Sequence, residues 1–168
     1  MYQFFVEENQ LAGDKIVILG SDVNHIKNVL RMKTGEELWI SDGEGKEYYC
    51  TIEELEAEEI LLHLHYAQEP DYELPSRIYL FQGLPKADKM ELIIQKAVEL
   101  GVYEIVPVAT KRAVVKLDDK KAAKKVERWN CISEGGAKQS GRTVVPKVQN
   151  VMSYKEALQY AKKLDVLM

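Results

Sequence analysis

Only two cysteines stand among the 168 residues, Cys50 and Cys131, far apart, without C-x-x-C spacing and with no further sulfur ligand beside them. That excludes a disulfide framework and a cysteine-based zinc site, and it points to a reducing compartment, so a cytoplasmic protein is expected. No apolar run approaches the roughly 18 residues needed to cross a bilayer. The start, MYQFFVEENQ, reaches acidic residues at once and lacks the basic head and apolar core of a signal peptide. No membrane partner is expected. Glycine-rich dinucleotide fingerprints and the P-loop spacing G-x-x-x-x-G-K-[ST] are missing. No Ser/His/Asp or Cys/His nucleophile set can be assembled from spacing.

What is present is an ordinary globular composition, 46% apolar and 30% charged, with a lopsided charge distribution. Residues 1–75 carry 17 acids and 5 bases, and residues 76–168 carry 10 and 18, so the two parts stand at −12 and +8. Such asymmetry predicts two units in different surroundings, with a polyanion near the second. A lysine-rich solvated surface would give the same count.

The first part reads as β. Gln3–Val6, Lys15–Leu19, Glu37–Ser41, Glu47–Ile52 and Glu59–Tyr66 are short, rich in aromatic and branched residues, and separated by turn chemistry. Asp42-Gly43 followed by Gly45 marks a hairpin. Val23, Ile26, Val29 and Leu30 fall at helical spacing behind Ser21-Asp22, which predicts one helix on a small barrel. The stretch from Gln68 to Pro75 has two prolines and no period, and is the expected linker.

After Pro75 strands and helices alternate, the pattern of a parallel sheet with crossover helices. Arg77–Gln82 is the first strand. A helix follows from Asp88 and Glu91 to a stop at Gly101, with Met90, Ile93, Ile94, Ala97 and Val98 as its apolar stripe. Val102–Ala109 is the next strand, expected to end or meet an edge at Pro107. A long helix is predicted from about Asp119 to Gln139, with Ala122, Val126, Trp129 and Ile132 inward and a break at Gly135-Gly136. Val144–Val148 is a short strand, Ser153 to Glu156 a capping box, and Leu164–Met168 the start of another strand.

Several clusters could carry chemistry. His63 and His65 share a strand face at metal-ligand spacing, but nothing completes a metal site, so no metal is expected. His25, Lys27 and Arg31, with Lys33, form a basic cluster on the predicted helix, suited either to phosphate contact or to a solvated face. Lys86 sits between a strand and a helix, where backbone N–H groups favour anions. Lys111, Arg112, Lys120, Lys121, Lys124, Lys125 and Arg128 make a basic strip for backbone phosphates. Gln139-Ser140-Gly141-Arg142 joins a helix to a strand, as loop or as ligand contact.

Taken in order, His25-Ile-Lys-Asn-Val-Leu-Arg-Met32, Leu80-Phe-Gln-Gly-Leu-Pro-Lys86, Asp88 to Lys96, Glu99-Leu-Gly-Val102, Arg112, Glu127-Arg-Trp129 and Lys138 to Arg142 resemble a known family. It is the 16S ribosomal RNA (uracil-N3) methyltransferases of the SPOUT superfamily, the small subunit methyltransferase E family. The resemblance implies an α/β protein: a PUA-like RNA-binding β-barrel over 1–72, then a SPOUT domain of trefoil-knot type from 76 to 168. It implies S-adenosylmethionine as methyl donor, 16S ribosomal RNA or the small subunit as partner, and a homodimer. Arg112 and Arg142 become candidates for stabilising the uracil anion. His25, Lys27, Arg31, Lys86, Lys124, Arg128, Gln139 and Ser140 become candidates for RNA contact. The family's later G-P-E-G-G loop and L-R-x-E-T segment have no counterpart up to Met168, so the donor pocket is expected mainly beyond residue 168. The other expectation is therefore a non-catalytic RNA-binding or dimerising module.

Overall fold

The computed structural model describes residues 2–86, 89–110 and 119–164. The capping role expected of Asp88, the position of Arg112 and the closing strand after Leu164 lie outside them. Two compact units make up the chain: Met1–Tyr72 with Gly141–Val144, and Glu73–Ser140 with Val145–Met168.

In the first unit the period-two alternation of branched residues produces β1 (Gln3–Phe5), β2 (Leu11–Ala12), β3 (Lys15–Leu19), β4 (Glu37–Ser41), β5 (Glu47–Leu55) and β6 (Glu59–Gln68). They form one curled sheet in the order β1-β4-β5-β6-β3-β2, antiparallel except where β1 meets β4. Ile16, Ile18, Leu38, Ile40, Cys50, Ile52, Ile60 and Leu62 point inward and pack with Phe4, Ile26 and Met32. Each buried aliphatic side chain contributes roughly 1.5–3 kcal/mol. Asp42 closes the β4–β5 turn by accepting the Glu44 and Lys46 amides at 2.8 and 3.0 Å.

The helix expected after Ser21 is only partly α-helical. α1 (Ser21–Asn24) passes into a π-helical turn over His25–Val29, closed by Leu30 N–H donating to the His25 carbonyl at 2.9 Å. The wider turn shifts the phase of the stripe: Val23, Ile26 and Met32 are buried, while Val29 is left 63% exposed. Simple helical spacing could not foresee that rotation.

A later segment, Gly141–Val144, also joins this unit. The Thr143 carbonyl accepts the Ser41 hydroxyl at 3.0 Å, the Arg142 carbonyl accepts Gln3 Nε2 at 3.3 Å, and Val144 bridges Glu44.

The second unit holds β7 (Tyr79–Gly83), α2 (Lys89–Glu99), β8 (Glu104–Ala109), α3 (Asp119–Ser140), β9 (Lys147–Val148), β10 (Met152–Ser153) and α4 (Tyr154–Ala161). β8 is central and parallel to all its neighbours, with β7 on one side and β9 and then β10 on the other. Of the two expected readings of Pro107, a strand end or an edge, the second holds, since β8 continues to Ala109. β9 pairs with Glu104 and Ile105 and β10 with Val108 and Ala109, so the residue without an N–H falls where that edge carries no ladder.

α2 ends in a Schellman motif, with Val102 N–H reaching the Ala97 carbonyl and Gly101, at φ 91°, reaching Val98. α3 does not break at Gly135-Gly136 but runs unbroken through both. A Cβ at Gly136 would stand 3.3 Å from Val98 Cγ1, so the missing side chain is what lets α3 lie close against α2. Asn130 clamps β9 by donating to the Val148 carbonyl and accepting its N–H. Ser153 and Glu156 form the expected capping box of α4. Among the described residues no helix is long and apolar enough to cross a membrane.

Candidate nucleic-acid interface

In the first unit the π-helical turn carries His25 and Lys27, and Arg31 follows two residues after its end. His25 is exposed and meets the Phe4 ring edge-on at 5.7 Å. The Lys27 amine donates to the Glu56 carbonyl, which ties the turn to the end of β5. Arg31 is exposed at φ 55°, the one non-glycine residue with positive φ among the described residues. Such a conformation costs on the order of 1 kcal/mol or more, and with π-turns it concentrates at functional positions. The result is two cationic or titratable side chains held outward on a locally strained loop, a geometry that suits phosphate contact.

In the second unit the helical repeat of α3 sets Lys120, Lys124 and Arg128 on one stripe, with Lys121 and Lys125 beside it, all exposed. The opposite side is anchored by Val126, Trp129 and Ala137. Arg128 is committed within the unit: its Nε and a terminal nitrogen hold the Glu91 carboxylate at 2.6 and 2.9 Å. Lys125 lies 6.0 Å from the Trp129 ring. Gln139 is exposed, whereas the Ser140 hydroxyl turns back to the Gly136 carbonyl at 2.7 Å as a helix end cap. Lys86 is exposed after β7. Arg142, in the first unit, is 8% exposed.

A cleft of about 200 Å³ opens in the second unit at the carboxyl ends of β7 and β8, lined chiefly by Phe81, Gly83, Val108, Tyr154, Ala157 and Leu158, with Thr110 at its edge. At the opposite, amino end of β8, Glu104, 8% exposed, accepts the Tyr160 hydroxyl at 2.7 Å and Gln149 Nε2 at 2.9 Å. The carboxylate holds the Tyr160 phenol protonated, pushed up to about 12. Sequence spacing gave no sign of this cluster, whose members lie 45 and 56 residues from Glu104.

In the histidine pair, His65 Nε2 lies 2.6 Å from the Thr51 hydroxyl, and His63 lies 4.0 Å from Asp14. Among the described residues no group of three metal-binding side chains occurs.

Residues 18–64 match a family model described as the RNA methyltransferase PUA domain, and residues 72–168 match one described as the RNA methyltransferase domain. Over 98% of its length the chain is 42% identical to ribosomal RNA small subunit methyltransferase E of Bacillus subtilis, of which it spans 66%. It is 32% identical to the Mesomycoplasma hyopneumoniae protein of the same name, spanning 69% of it. A crystal structure of the Neisseria gonorrhoeae methyltransferase E bound to S-adenosyl methionine superposes with a TM-score of 0.85 at 36% identity, over 94% of this chain and 65% of that one. The chain thus spans about two thirds of the relatives it matches. On these matches, the chain belongs to the ribosomal RNA small subunit methyltransferase E family.

Proposed function

We propose that this chain provides the RNA-recognition unit and the first part of the catalytic unit of an enzyme that methylates N3 of a uridine in 16S ribosomal RNA. S-adenosylmethionine is the donor in this reading, the enzyme is a cytoplasmic homodimer, and the substrate is the RNA or the assembled small subunit. The observation that carries the proposal is the exposed lysine stripe of α3 in a chain 42% identical to a ribosomal RNA methyltransferase. Residues 1–72 bind RNA through His25, Lys27 and Arg31, with Gly141–Val144 added to that unit. Residues 76–168 contribute Lys86, Lys124, Arg128, Gln139 and Ser140.

N3 of uracil carries a proton that must leave before or during methyl transfer, so a nearby cation lowers the barrier by stabilising the ring anion. Arg112 and Arg142 are assigned that role. The low exposure of Arg142 supports it, since a guanidinium shielded from water acts more strongly on a neighbouring anion than a solvated one.

The cleft beside β7 and β8 does not fit the whole donor. At about 200 Å³ it is smaller than the roughly 300–1,000 Å³ usual for small-molecule sites. Among its described lining residues Thr110 and Tyr154 bring hydroxyls and none brings a charge. The second reading is a non-catalytic RNA-binding or dimerising module. Titration calorimetry separates the two: micromolar or tighter binding of S-adenosylmethionine by this 168-residue chain eliminates the module.

Methylation at N3 blocks the Watson–Crick edge, so reverse transcription of treated 16S RNA should stop at one uridine. The absence of such a stop with the full-length enzyme defeats the uridine-N3 assignment. For RNA recognition, Lys124→Ala and Arg112→Ala should each reduce the slope of log affinity against log salt by about one. Unchanged slopes in both remove the basic strip from the interface.

A further inference from the structure

Across the outer face of the first unit's sheet runs a row of aromatic rings that methyl transfer does not use. Strand register sets Trp39 opposite Tyr49 and Tyr49 opposite Tyr66. The Trp39 and Tyr49 ring centroids are 5.2 Å apart, Tyr49 and Tyr66 stack at 5.2 Å and 29°, and Trp39 meets Tyr66 at 6.0 Å and 81°. A bulge after Tyr49 brings His65 alongside, 5.6 Å from the Tyr49 ring. Tyr66 is 50% exposed. Removing such a surface from solvent would be favourable, and its rings offer flat faces to a planar partner.

The charge around the row selects the partner. Glu37, two residues from Trp39 on β4 and so on the same face, is exposed, and its carboxylate pushes the Tyr49 phenol up to about 12. In the next row Asp14 lies beside His63, and Glu53 holds Lys15 at 3.3 Å. Away from the basic turn at His25–Arg31, the acids of this part, 17 against 5 bases, make the aromatic face one that favours cations. Guanidinium groups stack on aromatic rings and shed their hydration more readily than ammonium groups.

We propose that this face docks an arginine-rich polypeptide segment, its guanidinium groups stacking along Trp39, Tyr49 and Tyr66 and pairing with Glu37. The site is independent of the methyl-transfer reading and stands on the opposite charge logic from the α3 stripe.

Fluorescence anisotropy tests it with three labelled probes: hexa-arginine, hexalysine and octauridylate, titrated with the whole chain. Hexa-arginine is expected to bind at least about threefold tighter than hexalysine, since bulk acidity alone treats the two alike. Tyr66→Leu should weaken hexa-arginine about fivefold and abolish the preference, Tyr66→Phe should retain both, and Glu37→Gln should weaken both peptides. Retention by the phenylalanine variant distinguishes ring stacking from general damage to the sheet. Equal affinity for the two peptides overturns the proposal, as does a Tyr66→Leu variant that binds hexa-arginine like the parent. Octauridylate binding that is lost in Tyr66→Leu while peptide binding is not also overturns it, and makes the face an RNA platform.

Discussion

Replacing Gly136 by alanine should fail to stabilise α3, whereas the same change one residue earlier should succeed. Both glycines lie inside a 22-residue helix, where glycine costs roughly 0.8–1.0 kcal/mol against alanine. A Cβ at Gly135 meets nothing within 4 Å, so Gly135→Ala should recover about 1 kcal/mol, about 2–4 °C in Tm for a chain of this size. At Gly136 the added carbon stands 3.3 Å from Val98 Cγ1 and 3.5 Å from Val98 Cβ. Val98 is fully buried, and a β-branched side chain in a helix has one strongly preferred χ1, so it cannot swing aside. α2 must then retreat by a few tenths of an ångström. Overpacking of this kind costs about 1–3 kcal/mol, which cancels or exceeds the gain in helix propensity. Gly136→Ala should come out neutral to about 2 kcal/mol destabilising. Thermal and urea unfolding followed by circular dichroism measure both variants, two probes being needed because two units need not unfold together. In the Val98→Ala background the new methyl fills vacated space, so the pair should couple favourably by more than about 0.5 kcal/mol. A Gly136→Ala protein stabilised as much as Gly135→Ala would refute the close approach of the two helices.

Three further outcomes are expected. Tyr160→Phe removes a donor from the buried Glu104 carboxylate and should cost about 1–3 kcal/mol in urea unfolding. Because the folded state raises the Tyr160 pKa to about 12, its contribution should be complete below pH 10 and fade as pH climbs toward 12; a parent-minus-variant difference that grows with alkalinity contradicts the pairing. Ser153→Ala should cost about 1 kcal/mol through loss of the α4 cap. The folded state lowers the Glu156 pKa through its bonds to Ser153, so the cap's advantage should be present at neutral pH and shrink as pH falls through the carboxylate range, visible as converging melting curves. A thiol reagent at neutral pH should label the exposed Cys131 quickly and leave Cys50 untouched, since burial pushes that thiol up to about 12; two fast equivalents per folded chain would place Cys50 at the surface.

Much of the fold is legible because the signals are local. β3 and β4 fall where alternation put them, and Gly101 ends α2 by the cap that its sequence context announces. What escaped depends on contacts between distant residues. Gly136 reads as a helix breaker until Val98 is known to press against it. Pro107 reads as a strand end or an edge, and only the interrupted pairing of β9 and β10 along β8 decides between them. The phase shift at His25–Val29 requires a five-residue turn that leaves no mark in a four-residue period. Of the site residues, the α3 stripe is visible as sequence spacing, but the commitment of Arg128 to Glu91 is not, because 37 residues separate them. The aromatic row is invisible for the same reason: Trp39, Tyr49 and Tyr66 look scattered until strand register aligns them.

The return of Gly141–Val144 to the first unit has a consequence for how the protein is made. Ser41 waits for a partner 102 residues downstream, so the first unit cannot acquire its full set of hydrogen bonds when Tyr72 leaves the ribosome. At about 5–20 residues per second, the next 70 or so residues take roughly 4–14 s to synthesise. Throughout that interval the Ser41 hydroxyl lacks its final acceptor. Completion of the N-terminal unit is thereby timed by translation of α3, and a truncation before Gly141 would leave it permanently in its nascent state.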